Sequence, residues 1–179
     1  NTDELEPELK KAGFVFETTT DTEVILYAYI HYGIDFVSRL NGIFAFAIWD
    51  GGLQRLVLYR DRVGVKPLFY TVKNKTIVFG SEIKALFCFP DIKPEIDING
   101  FREILGIGPA RTPGNGVFSG INEVKPGYYV IFSSEGMDTV RYWKLESRPH
   151  TDSYEETVER VTFLVSDAVR RQMVSDVPV

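Results

Sequence analysis

Ile43-Phe44-Ala45-Phe46-Ala47-Ile48-Trp49 is apolar at every position, and this uniformity decides the architecture. A strand that alternates apolar and polar residues keeps one face in water, whereas a strand without alternation buries both faces. Leu56-Val57-Leu58-Tyr59 repeats the pattern just after Asp50-Gly51-Gly52, and so short a connection predicts an antiparallel pair. Two buried faces need two covers. The neighbouring helical segments supply one and a second sheet the other, so the expected fold is α+β, a four-layer αββα sandwich of two mainly antiparallel sheets.

Working outward, residues 3–12 carry acids first and lysines last, the order that suits a helix dipole, and Gly13 supplies a stop. Phe14 to Phe16 reads as a brief strand. Thr20 with Glu23 forms a capping-box pattern ahead of a helix from about Thr22 to Tyr32, ended by Gly33. Leu68 to Val72 reads as a strand, and Ser81 to Leu86 and Asp97 to Leu105 as helices. Residues 106–120 hold five glycines and two prolines and predict a surface loop. That loop is no dinucleotide fingerprint, because Arg111 stands where a third glycine belongs. Tyr128 to Phe132 and Thr139 to Leu145 read as a strand pair. Ser153 with Glu156 caps the longest helix, which ends near Arg171 or Met173.

The chain has 179 residues, 44% of them hydrophobic, enough for one sizeable core. A net charge of −5 without any basic run argues against a nucleic-acid surface. Apolar runs fall short of the roughly 18 residues that span a bilayer, and one cysteine excludes an internal disulfide framework. A reducing, cytoplasmic location is the expectation. The absence of an initial Met, with an apolar run starting at Val177, reads as an internal fragment cut at both ends.

Candidates for chemistry are few. Cys88 sits in Leu86-Phe87-Cys88-Phe89-Pro90 and reads as an inert core thiol. His31 and His150 stand far apart, each without a second ligand nearby, so no metal site is expected. Arg60-Asp61-Arg62 ends a strand before Gly64 and Pro67, and suggests a structural turn in which the Asp61 carboxylate is held between two guanidinium forks. Asp21 stands at a strand-to-helix junction. On local grounds it is a plain helix cap, with reception of a ligand's ammonium group as the rival reading.

Six segments in order resemble the amino-terminal glutaminase domain of glutamine-dependent asparagine synthetases, class II glutamine amidotransferases of the N-terminal-nucleophile hydrolase type. They are Thr20-Asp21-Thr22-Glu23-Val24-Ile25-Leu26, Leu40 to Asp50, Arg60 to Leu68, Phe79 to Leu86, Val124-Lys125-Pro126-Gly127 and Tyr142-Trp143. The tail from Arg170 to Val179 is similar to the helix and strand that lead into a synthetase domain.

The resemblance implies a glutaminase whose N-terminal cysteine thiolate attacks the glutamine amide, with its own α-amino group as base and an Asn-Gly pair holding the oxyanion. Ammonia then passes to a second domain in which ATP and Mg2+ activate aspartate. It makes Asp21 the acid that grips the α-ammonium of glutamine, with Arg60, Asp61, Arg62 and Gly64 as scaffold close to the site. The cysteine, the arginine for the glutamine carboxylate and the Asn-Gly-Glu segment would precede Asn1. No catalytic residue is therefore expected within the chain, which by itself should be inactive, and no cofactor is expected in it. The sandwich would be incomplete at its N-terminal side, leaving edges open to pairing with a second copy. Residues 1–148 are expected to form the partial glutaminase domain, and 149–179 a helix and the start of the synthetase domain of the same chain. A non-catalytic interaction module, or the glutaminase of another amidotransferase such as a β-lactam-forming synthetase, are the alternatives.

Overall fold

A computed structural model describes residues 2–108 and 112–173. Arg111 and the strand expected at the end of the chain lie outside the described residues. The chain divides into two compact units, Thr2–Lys144 and a second from Leu145 onward.

In the first unit, α1 (Thr2–Lys11) and α2 (Asp21–Tyr32) pack together through Leu5 and Leu9 of α1 and Val24, Ala28 and Tyr29 of α2. Phe14 to Phe16 is not a strand. Phe14 and Phe16 instead clasp the Tyr27 ring, with centroids 4.9 and 5.0 Å away, so these aromatics serve helix packing rather than a ladder. The Thr20–Glu23 capping box is also absent, since Thr20 makes no side-chain cap bond. The Glu23 carboxylate reaches further back and accepts from the Glu17 and Thr18 N–H groups and the Thr18 hydroxyl.

Strands β1 (Ala45–Asp50), β2 (Arg55–Arg60), β6 (Tyr128–Ser133) and β7 (Gly136–Arg141) form one antiparallel sheet in the order β1-β2-β6-β7. A second sheet, β4-β3-β5, comprises β3 (Phe69–Lys73), β4 (Thr76–Gly80) and β5 (Asn122–Glu123). The two-sided burial expected of the apolar runs is complete in β2, where Val57, Leu58 and Tyr59 are fully buried. It is partial in β1, an edge strand that leaves Trp49 59% exposed.

Alternation along the strands builds the layers. Val57, Tyr59 and Tyr129 face α1, α2 and a 3-10 segment (Ile34–Arg39). Leu58 and Val130 face the opposite way and meet Leu68, Tyr70 and Val124 between the sheets. Phe69 turns from that interior to the outer side of the second sheet, packing with Leu86 of α3 (Ile83–Leu86) and with Ile92 and Ile121. The layers therefore run helices, sheet, sheet, helix. Tyrosine hydroxyls tie the 3-10 segment to the first sheet, Tyr59 donating to the Ile34 carbonyl at 3.0 Å and Tyr129 to Asp35 Oδ1 at 2.9 Å.

Helix α4 (Ile98–Ile107) is capped by Asp97, whose side chain accepts from the Asn99 and Gly100 N–H groups. It presses on the loop after it, where a Cβ at Gly100 would stand 2.5 Å from the Val117 carbonyl oxygen. In the second unit, α5 (Tyr154–Gln172) begins with the expected Ser153–Glu156 capping box. No helix among the described residues is long and apolar enough to cross a membrane.

Candidate functional site

The segment after β2 is a closed turn built around Asp61, which is 1% exposed. Its carboxylate does not sit between the two arginines. Oδ1 accepts from the N–H groups of Val63 and Val65, and Oδ2 from that of Lys66, at 3.0 to 3.2 Å. A buried carboxylate is satisfied as fully by three backbone donors that the turn itself supplies as by side chains. The arginines are thus released for longer reaches. Arg62 donates to the carbonyls of Ser38 and Leu40. Arg60 donates to the carbonyls of Gly64, Lys66 and Val124 and pairs with Glu123 at 2.8 Å.

Gly64 is required twice in this turn. Its φ is +70°, and a Cβ there would lie 2.7 Å from Pro126 Cγ and 3.1 Å from Arg60 Cζ. The Asp61 carbonyl accepts from the N–H groups of Gly64 and Gly127, and the Tyr142 hydroxyl donates to the Arg60 carbonyl at 2.7 Å. Arg60, Asp61, Arg62 and Gly64 are therefore brought together as one rigid unit where the two sheets meet.

Asp21 is placed apart from that unit. It is the first residue of α2, one position past the cap, and it is exposed. Its Oδ1 accepts from the Thr2 hydroxyl at 2.6 Å, and among the described residues no hydrogen bond reaches its Oδ2. Nearby, Glu23 carries a pKa lowered to about 2, chiefly by the Thr18 hydroxyl and then by the Glu17 N–H. The two acids of this turn thus differ in use. Glu23 is saturated by its own loop, while the exposed Asp21 carboxylate accepts one bond, from Thr2.

Cys88 is exposed rather than part of the core, and its Sγ contacts the Lys84 carbonyl at 3.9 Å. Of its aromatic neighbours, Phe87 meets the Phe118 ring at 5.1 Å and Phe89 is itself exposed. His31 stacks edge-on against Phe14 and Tyr32, and His150 contacts the Thr157 hydroxyl at 2.7 Å. Two residues of consequence escaped the sequence reading. Glu123 lies on a two-residue strand too short to leave a pattern, and Thr2 is joined to Asp21 across a helix and a loop, a distance no spacing rule covers.

A glutamine amidotransferase domain family model matches residues 1–143. The chain belongs to that family. As a glutamine amidotransferase domain it is 52% identical to asparagine synthetase (glutamine-hydrolyzing) 3 of Bacillus subtilis, over 100% of this chain and 29% of that protein. It is 36% identical to amidase chyE of Penicillium rubens, over 93% of the chain and 25% of the relative. A glutamine phosphoribosylpyrophosphate amidotransferase from Bacillus subtilis shares the amidotransferase fold with a TM-score of 0.56 and 23% identity, across 83% of this chain and 28% of that one. The chain thus spans between a quarter and a third of the length of the curated relatives named here.

Proposed function

We propose that this chain is the glutaminase part of an ATP-dependent, glutamine-hydrolysing asparagine synthase. The 52% identity to an asparagine synthetase along the full chain carries the reading. Residues 1–148 then belong to the glutaminase domain and 149–179 open the domain that uses the ammonia. The attacking cysteine thiolate, its α-amino base, the arginine for the substrate carboxylate and the Asn-Gly oxyanion donors would come from a segment ahead of Asn1. ATP and Mg2+ would serve the second domain, and no residue described here is assigned to them.

Within this chain the substrate-contacting group is Asp21. Its exposed carboxylate accepts a charge-assisted hydrogen bond from the α-ammonium of glutamine, which selects the free amino acid over amides lacking that charge. The Arg60–Gly64 turn ties the two sheets to each other through Arg60. In the protein that carries the upstream segment, Asp21→Asn should raise the Michaelis constant for glutamine by roughly tenfold or more, the value of a hydrogen bond to a charged group, while kcat for ammonia release changes less. A Michaelis constant equal to that of the parent removes Asp21 from the site. If the upstream segment supplies no cysteine and no ammonia is released, the glutaminase assignment itself fails.

A further inference from the structure

We propose that Thr2 positions Asp21 for substrate, setting the carboxylate's orientation from the first turn of the neighbouring helix. The inference rests on the assignment of Asp21 to the α-ammonium of glutamine. An exposed aspartate at a helix start has several rotamers open to it and would lose that freedom on binding. Here one oxygen is already occupied: Thr2 Oγ1 donates to Asp21 Oδ1 at 2.6 Å. The adjacent cap gives no such restraint, since Thr20 makes no side-chain cap bond and its hydroxyl turns to Thr18. Glu23 is held by Glu17 and Thr18.

The helices on either side of this bond are themselves fixed, because Leu5, Leu9, Val24 and Ala28 are buried in one cluster. Donor and acceptor therefore arrive on rigid supports, and the bond lies at the edge of the core rather than within it. Thr2 thus pre-orders a binding group, and its loss should weaken glutamine binding without slowing the chemistry.

The test uses the protein with its upstream segment. Thr2→Val should raise the Michaelis constant for glutamine roughly two- to fivefold, as expected for one partly exposed hydrogen bond, with kcat and melting temperature unchanged. Thr2→Ser, which keeps the hydroxyl, should restore the parent value. Combined with Asp21→Asn, Thr2→Val should add nothing further, because the oriented group is gone. If Asp21→Asn raises the Michaelis constant and Thr2→Val does not, Thr2 has no positioning role and the Asp21 assignment stands. Equal effects of Thr2→Val in the presence and absence of the Asp21 carboxylate overturn the proposal as well. No effect from either single substitution removes the Asp21 assignment and the inference together.

Discussion

Arg60 and Glu123 belong to different sheets and meet at 2.8 Å, with side chains 6% and 7% exposed. The pair fastens β2 to β5 across the edge of the interior. A buried charge left without its partner costs about 3–5 kcal/mol. Glu123→Leu should therefore lower the urea midpoint strongly, and Arg60→Met added to it should recover part of the loss. Recovery stays partial because Arg60 also serves the carbonyls of Gly64, Lys66 and Val124. A neutral Glu123→Leu would show that the pair contributes nothing to closing the sandwich.

Gly64→Ala places a methyl group where the backbone has φ +70° and Pro126 Cγ stands 2.7 Å away. A destabilisation of roughly 1–3 kcal/mol is expected from the left-handed conformation and the displaced ring. Denaturant unfolding measures it, and a stability gain from the reduced chain entropy of alanine would contradict the close approach.

Asp61→Asn substitutes an NH2 group for one of the two oxygens that together accept three N–H groups. At least one buried donor is stranded, at about 1–3 kcal/mol. Amide hydrogen exchange should speed up at Val63, Val65 and Lys66 before the strands respond. Uniform acceleration across the sheets would assign Asp61 a global role instead.

Stability should fall at both extremes of pH. Burial, then the bond to Asp35, pushes the Tyr129 phenol up to about 12 from its ordinary 10.0. Below pH 10 its contribution is complete. Between 10 and 12 the unfolded chain ionises while the folded one does not, so stability drops as pH rises. Tyr59 and Tyr142 shift the same way, again chiefly through burial. Tyr129→Phe should flatten part of this alkaline loss in urea midpoints.

Glu23 works in the opposite sense. Its folded-state pKa of about 2 lies below the ordinary 4.5, so its contribution is complete above pH 4.5 and disappears as pH falls toward 2. Glu23→Gln should flatten that acid limb.

The four layers were legible because Val57, Leu58 and Tyr59 cannot all be apolar unless β2 is covered twice. Helix ends were legible where the chemistry is local, as at Ser153 and Glu156. What escaped was set by partners remote in sequence. Asp61 between two arginines looks like an ion-paired triad until the turn folds and presents three N–H groups. Thr20 and Glu23 have capping-box spacing, yet the Glu17–Thr18 loop competes for the same carboxylate and wins it. Strand β4 carries no alternation strong enough to separate it from the preceding turn, and β5 is too short to signal itself. Asp21 could be ranked above a cap only by family likeness, since its bond to Thr2 depends on how two helices pack.

The strand order β1-β2-β6-β7 also constrains the timetable of synthesis. Val57 pairs with Ile131 and Leu58 with Val130, and the whole of the other sheet is encoded between them. A ribosome must therefore release the polypeptide through Ser133 before the middle of the first sheet can zip. Until then the apolar centre of β2, Leu56 to Tyr59, is paired along one edge alone, as a hairpin still waiting for its third strand.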